Sequence, residues 1–133
     1  IGLMTKPHHS RDIDLVVALE ARGFLLAAPI AIQLGAGVVP IRKAGKLPRE
    51  THSARAELEY GLADFEIHRD AIGEGQRVLL VDDVLATGGT ARAAVDLVEL
   101  LGAHVVEAQF LIELSFLNGR DGLSVPVSSV ISY

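Results

Sequence analysis

Residues 78–90 read VLLVDDVLATGGT: four apolar residues, two adjacent carboxylates, and then small, hydroxyl and glycine residues. The apolar run predicts a strand that is covered on both faces, as in a parallel sheet. The Thr-Gly-Gly-Thr segment that follows predicts the beginning of a helix. Ligands of open α/β sheets bind at the carboxyl ends of the strands. The two carboxylates and the glycine loop therefore lie where a binding site is expected.

The flanking sequence repeats this alternation of strand and helix. Apolar, β-branched runs predict strands at 13–19, 38–41, 77–81, 105–112 and 125–133. Helices are predicted over 24–34, closed by Gly35, and from 87 to 101, stopped by Gly102. We expect residues 1–12 to be a linker or helix remnant, and 49–69 a mobile loop leading into a hairpin. The order predicts an α/β fold in one domain over 1–133, with a mostly parallel central sheet flanked by helices on both faces.

Composition and charge restrict the function classes. Seventeen acidic and twelve basic residues give a net charge of −5, which disfavours a nucleic-acid partner. The chain has no cysteine, which excludes disulfides, thiolate catalysis and Cys-rich zinc sites. The charge-free stretch 23–41 is interrupted by proline, glutamine and glycine, and no signal-peptide pattern is present, so we expect a cytoplasmic protein without a membrane partner.

The residues after the two carboxylates can bind a phosphate group. Glycines let the backbone close around an anion, while N–H groups at a helix start and threonine hydroxyls donate to it. The pattern is neither a P-loop nor a dinucleotide fingerprint, because it lacks their lysine and glycine spacing. Two carboxylates just ahead of the loop suit the vicinal hydroxyls of a ribose 5-phosphate. The predicted sugar-phosphate site consists of Asp82, Asp83, Ala86, Thr87, Gly88, Gly89 and Thr90.

This stretch resembles the signature of the type I phosphoribosyltransferases, which bind 5-phosphoribosyl 1-diphosphate. Four further segments resemble the adenine phosphoribosyltransferases in the same order: EARGF at 20–24, IRK with GKLP at 41–48, LEYG at 58–61 and EL at 113–114. The resemblance runs from about Asp14 to the end of the chain. It implies that adenine and 5-phosphoribosyl 1-diphosphate are converted to AMP and pyrophosphate. It also implies a homodimer that uses Mg²⁺ bound mainly through the substrate.

The resemblance assigns the leaving pyrophosphate to cationic residues. Arg22, beside Ala21, is the main candidate, because an arginine fork matches a diphosphate bidentately. Arg42, Lys43 and Lys46 are expected in a basic loop that closes over the anion as a lid and excludes water. Without the resemblance, Arg22 would be interpreted as an exposed surface residue.

The resemblance also places residues around the base. Glu59 is the catalytic candidate, which hydrogen-bonds or exchanges a proton at adenine N7, with Tyr60 beside it. From the residues alone, Glu59 would be interpreted as a surface residue of a hairpin. Leu114 is expected as an apolar wall under the purine. The five histidines show no metal-ligand spacing, so we assign no metal-binding residue.

The sequence departs from the family pattern at two places. Family members carry an additional N-terminal hood over the purine, and this hood is expected to be missing here, since the similar letters RDI at 11–13 lie too close to the first strand. Ala56 stands where tyrosine is common in the lid. Two alternatives stay open: a noncatalytic sensor of phosphoribosyl diphosphate or purines, as in the purine repressor family, and a type I transferase for hypoxanthine, guanine, xanthine or orotate.

Overall fold

Seven strands form one sheet in the computed structural model, which describes residues 1–133. In chain order the strands are β1 Leu15–Leu19, β2 Gly37–Lys43, β3 Thr51–Leu58, β4 Gly61–His68, β5 Arg77–Leu85, β6 His104–Glu113 and β7 Val127–Ser132. Their spatial order is β3-β4-β2-β1-β5-β6-β7. Strands β2, β1, β5, β6 and β7 pair in parallel, and only β4 runs in the opposite direction, pairing antiparallel with β2 on one side and β3 on the other. The predicted mostly parallel sheet is confirmed.

Helices cover both faces of this sheet. Helix α1 is Gly2–Thr5, α2 is Arg22–Leu34 and α3 is Gly89–Leu100. Helix α2 packs on one face within a cluster of 10 buried apolar residues, and α3 packs on the other within a cluster of 21. Strand β1 supplies alternate side chains to both clusters and is fully buried from Val16 to Leu19. An uninterrupted apolar strand is stable here because neither of its faces meets water.

The helix ends follow the sequence signals closely. Helix α2 ends at Leu34, and Gly35 adopts a left-handed φ of 66° as its cap, as predicted. The helix begins at Arg22, two residues before the predicted start, and includes Pro29 in its interior. Gly102 follows α3 with a φ of 83°. The glycine stop signals therefore located the helix ends, whereas the start of the apolar run at Phe24 placed the beginning of α2 two residues too late.

One predicted strand end was wrong. Strand β5 does not stop before Asp82 but continues to Leu85. Its pairing with β1 ends at Ala18 and Val81, whereas its pairing with β6 continues to Leu85 and Glu113. Asp82 and Asp83 therefore lie past the last pair of residues that joins β1 and β5, at the carboxyl-terminal edge of the sheet. Strand β6, which pairs with β5 as far as Leu85, keeps their backbone extended.

The remaining segments are largely as expected. Residues 49–69 contain the predicted hairpin, with β3 and β4 paired from Thr51 and His68 to Leu58 and Gly61; the mobility of this segment stays a prediction. Residues 1–12 contain α1 and a short 3-10 turn at Lys6–His8. None of the helices combines the length and apolar character that a membrane crossing requires.

Candidate active site

The carboxylate pair lies at the edge of the sheet, next to the start of α2. The Asp83 backbone N–H donates to Asp82 Oδ1 at 2.8 Å. The Arg22 guanidinium donates to the Asp83 carboxylate, although 78% of the arginine side chain is exposed. Arg22 lies outside the predicted helix 24–34 but is the first residue of α2 in the structure. The structure thus brings together a predicted sugar-binding carboxylate and the predicted diphosphate-binding cation.

Asp82 has a strongly perturbed proton affinity. Burial raises the pKa of Asp82 to about 7, the N–H of Asp83 opposes this rise, and the neighbouring Asp83 charge adds to it. A ligand that donates hydrogen bonds, or a cation, would favour the ionised form of this carboxylate.

The shifted pKa predicts a pH-dependent stability. Between about pH 4 and pH 7 the folded protein holds a proton on Asp82 that the unfolded chain has released, so the free energy of unfolding falls as pH rises through this window. At roughly 1.4 kcal/mol per pKa unit, the loss is at most about 4 kcal/mol. Urea unfolding of the wild type and Asp82→Asn across this range should show the smaller decline in the variant. An exposed control, Asp96→Asn on α3, should keep the wild-type slope, and identical slopes for Asp82→Asn and the wild type would contradict the shift.

The phosphate loop, residues 86–90, connects β5 to α3. Gly88 caps the helix with a φ of 87°, and no side chain caps the first N–H groups of α3. A small cavity of about 80 Å³ is lined by this loop and the end of β5. The unpaired N–H groups of a helix start attract anions, so the structure supports the predicted phosphate site.

The two glycines of this loop are required by close backbone packing. A Cβ at Gly89 would lie 2.1 Å from the carbonyl oxygen of Glu57 on β3, and one at Gly88 would lie 2.5 Å from that of Gly119. The hairpin therefore presses on the loop from one side and the turn at 118–122 from the other. Any larger residue would displace one of these backbones.

An ion pair between the buried carboxylate of Glu113 and the half-exposed guanidinium of Arg120 holds the turn at 118–122 in place. Both Arg120 nitrogens Nε and Nη2 donate to Glu113, with Nε at 2.7 Å from Oε2, and Ser129 Oγ donates to Oε1 at 2.9 Å. Arg120, and to a lesser extent Ser129, hold the pKa of Glu113 below its usual range despite burial. The sequence predicted a role for Leu114 but none for its neighbour Glu113. Its role was missed because both partners are distant side chains that no local pattern connects to it.

The large cleft has a volume of about 380 Å³ and lies above the carboxylate pair. It is bordered by the loop after β1, the end of β2, the tip of the β3–β4 hairpin and the phosphate loop. The predicted site residues that line it are Arg22, Lys43, Glu59, Tyr60, Asp82, Asp83, Ala86, Thr87 and Thr90. Residues from four separate parts of the chain therefore meet at one opening.

Glu59 and Tyr60 form the two-residue turn of the hairpin, between Leu58 and Gly61. Both side chains are exposed at the border of the cleft. Ala56, in contrast, is buried in the core cluster that contains α3, so its side chain faces away from solvent. The departure from tyrosine therefore affects the packing under the hairpin.

Six predicted site residues do not line the large cleft, and two of these, Gly88 and Gly89, line the small cavity of the phosphate loop instead. Ala21 is exposed between β1 and α2, and Leu114 follows β6, where its N–H donates to the Leu85 carbonyl at 2.9 Å. Arg42 and Lys46 contact Glu20, at 3.3 Å and 3.0 Å respectively. Glu20 itself lines the cleft and was missed in the sequence as a site residue. The available signal was its position two residues before Arg22 in the loop after an apolar strand.

Comparison with known proteins agrees with this geometry. Residues 2–123 match the model of the phosphoribosyl transferase domain. The chain is 57% identical over 124 residues to an adenine phosphoribosyltransferase of Thermobifida fusca, covering 93% of this chain and 70% of the relative.

Solved structures extend the comparison to the fold. An adenine phosphoribosyltransferase from Thermoanaerobacter pseudethanolicus superposes with a TM-score of 0.95 and 53% identity, over 98% of this chain and 77% of that one. The enzyme from Saccharomyces cerevisiae, in complex with an imino-altritol bisphosphate and adenine, gives a TM-score of 0.90 and 48% identity over 96% and 72%. On fold, site and sequence together, the chain belongs to the phosphoribosyltransferase family, among its adenine phosphoribosyltransferases.

Proposed function

We propose that this chain transfers the phosphoribosyl group of 5-phosphoribosyl 1-diphosphate to adenine, a purine salvage reaction. The bond from adenine N9 to C1 of the sugar forms with the N9 lone pair, the bond from C1 to the diphosphate breaks, and the ring proton leaves from N7 to the Glu59 carboxylate; the products are AMP and pyrophosphate. The single observation that carries the proposal is the cleft that places Asp82 and Asp83, the phosphate loop, Arg22 and Glu59 around one space. The yeast relative holds adenine, which supports the choice of base.

The sugar and its 5-phosphate orient the reacting carbon. Asp82 and Asp83 accept hydrogen bonds from the two ribose hydroxyls, while the N–H groups of the phosphate loop bind the 5-phosphate. Positive charge develops at C1 as the diphosphate leaves, and the nearby carboxylates stabilise it. Binding energy from the distant phosphate holds the ring in position for attack.

The diphosphate requires positive charge on the side of the cleft near α2. Arg22 has an exposed guanidinium beside Asp83, and Lys43 lines the same opening. Both side chains are exposed at the border of the cleft and can donate hydrogen bonds to diphosphate oxygens there. These cations stabilise the negative charge that collects on the leaving group.

Magnesium fits the oxygen donors of this site. No group of three or more histidine, cysteine or acidic residues forms a cage for a metal ion. Mg²⁺ commonly binds through one or two carboxylates, waters and substrate phosphates, and Asp82 and Asp83 are hard donors of this kind. We propose that Mg²⁺ would be bound mainly through the diphosphate and ribose hydroxyls of the substrate, with Asp82 and Asp83 helping to hold it, and that it would supply positive charge to the leaving group.

The hairpin tip brings the base-handling residues to the cleft. Glu59 is proposed to hydrogen-bond or exchange a proton at adenine N7: as the acceptor of the N7 proton it raises the electron density at N9 and makes N9 a better nucleophile. Tyr60 borders the same opening and contributes to binding. Leu114, just beyond β6, is proposed as the apolar wall under the purine.

The reaction can be tested directly. Incubation of the protein with adenine, 5-phosphoribosyl 1-diphosphate and Mg²⁺ should yield AMP, measured by ion-exchange chromatography, and hypoxanthine, guanine, xanthine or orotate in place of adenine should yield much less nucleotide. Preferred use of another base would assign a different type I transferase. Binding of the diphosphate without product from any base would favour the noncatalytic sensor.

The outer face of α2 supports a homodimer. Leu25 and Ile32 are 76% and 81% exposed and lie seven residues apart on one face of the helix, with exposed Ala28 between them. Exposed apolar stripes of this kind mark protein contacts. We propose that this stripe pairs with a second copy of the chain.

We also propose that residues 1–133 act as one domain. The protein is proposed to be cytoplasmic, because its substrate, a polyanionic sugar phosphate, does not cross a bilayer unaided.

A further inference from the structure

We infer that Glu20 is a positioning residue for the diphosphate: its carboxylate holds the cations of the basic loop, residues 42–48, next to the large cleft. The first two of these residues were expected in a loop and form the end of β2 in the structure. The inference rests on the proposed function, because it concerns the diphosphate half of the same site. Nothing in the sequence pattern assigned a role to Glu20, and the contacts of its side chain carry the argument.

Glu20 is surrounded by donors from the basic loop. Its Oε1 accepts the backbone N–H of Lys43 at 2.8 Å and lies 3.3 Å from Arg42 Nε. Its Oε2 accepts a hydrogen bond from Lys46 Nζ at 3.0 Å. Only 9% of the Glu20 side chain is exposed. One carboxylate therefore contacts three basic residues of the loop.

The backbone of the loop is fixed at the same place. After Lys43, the N–H of Ala44 donates to the Asp64 carbonyl at 2.9 Å, and that of Gly45 donates to Glu66 Oε1 at 2.8 Å. Three successive N–H groups are thus bound, the first by Glu20 and the next two by β4. The start of the basic loop is tied to the sheet, which gives its cations a defined position rather than that of a free lid.

The charge state of Glu20 agrees with this role. Burial acts to raise the pKa of Glu20, but the Lys43 N–H, Lys46 and Arg42 outweigh it and hold the pKa below its usual range. The carboxylate is therefore ionised and bound to cations at neutral pH. Long basic side chains held in one place bind an incoming anion without first losing their rotamer freedom.

Two effects of Glu20 on an anion have opposite signs. As a negative charge at the border of the cleft, it repels the diphosphate, so its removal would tighten binding. As the residue that holds Arg42 and Lys46, it prepares the site, so its removal would weaken binding. We expect the second effect to be the larger one, because bound cations screen the charge of Glu20 while Glu20 is the ion-pair partner of both side chains.

The test compares two ligands that each fill half of the site. Titration calorimetry with pyrophosphate and Mg²⁺ should show about tenfold weaker binding to Glu20→Ala and a smaller loss for Glu20→Gln, which keeps an acceptor for the Lys43 N–H. Ribose 5-phosphate should bind both variants within about twofold of the wild type. In steady state, KM for 5-phosphoribosyl 1-diphosphate should rise while KM for adenine stays constant. A surface control, Glu99→Ala on α3, should match the wild type.

The outcomes separate the inference from the function on which it rests. Unchanged or tighter pyrophosphate binding by both variants would overturn the role of Glu20. An equal loss for pyrophosphate and ribose 5-phosphate would also overturn it, because that result indicates a general structural defect. If Glu20→Ala fails to fold, Glu20→Gln decides alone. A wild-type protein that binds pyrophosphate but forms no AMP would refute the proposed function and leave the binding comparison intact.

Discussion

Replacing Asp82 and Asp83 together with asparagine is expected to weaken binding of 5-phosphoribosyl 1-diphosphate by about 100-fold. Each carboxylate accepts a hydroxyl hydrogen bond in the proposed complex, and a hydrogen bond to a charged group contributes about 1.5–3 kcal/mol. A combined loss of roughly 3 kcal/mol corresponds to two orders of magnitude in Kd. The two side chains lie at the edge of the sheet beside the cleft, so the change leaves the apolar clusters intact.

Calorimetric titration of the double variant measures this loss. The single variants should differ, because Asp83→Asn also breaks the ion pair with Arg22, whereas Asp82→Asn removes a carboxylate with a raised pKa. Asp96→Asn, an exposed replacement on α3, controls for the change of one charge in each single variant. Unaltered affinity in the double variant would remove both residues from the site.

Glu59→Gln is expected to lower kcat by about 100-fold, the lower end of what general acid–base groups contribute. Glutamine keeps the size and one acceptor of glutamate but cannot exchange a proton, so KM for both substrates should stay within about threefold. Glu59 lies in an exposed hairpin turn, and the fold should therefore tolerate the change.

Initial rates at saturating adenine and 5-phosphoribosyl 1-diphosphate give the comparison. Glu50→Gln, at the base of the same hairpin and 86% exposed, serves as the matched control and should retain the wild-type rate. A Glu59→Gln variant with full turnover would leave Glu59 without a chemical role.

The sequence identified the parts of the molecule that local patterns determine. Strand β1 and the core of β5 were recognised because both faces of each are buried, which produces unbroken apolar runs. The phosphate loop was recognised because adjacent glycines and the start of a helix both favour the binding of an anion. The end of β5 was placed wrongly, since its extension depends on pairing with β6, which lies some twenty residues further along the chain.

The residues that sequence reasoning missed act through distant partners. Glu20 contacts the basic loop, and Glu113 contacts Arg120 and Ser129. Each of these glutamates stands alone at the end of an apolar strand, and this position by itself is only a weak indication of a functional residue. Only the fold shows that these buried carboxylates pair with cationic side chains: Glu20 with Arg42 and Lys46, and Glu113 with Arg120. The same limit explains why Arg42 and Lys46 were assigned to the diphosphate without their contact to Glu20.

The most direct measurement is a crystal structure of this protein with ribose 5-phosphate, pyrophosphate and Mg²⁺. The two ribose hydroxyls should lie within hydrogen-bond distance of the Asp82 and Asp83 carboxylates, with the 5-phosphate against the backbone N–H groups of residues 87–90. A sugar bound elsewhere, with Asp82 and Asp83 turned away from it and the phosphate loop free of phosphate, would contradict the proposed site.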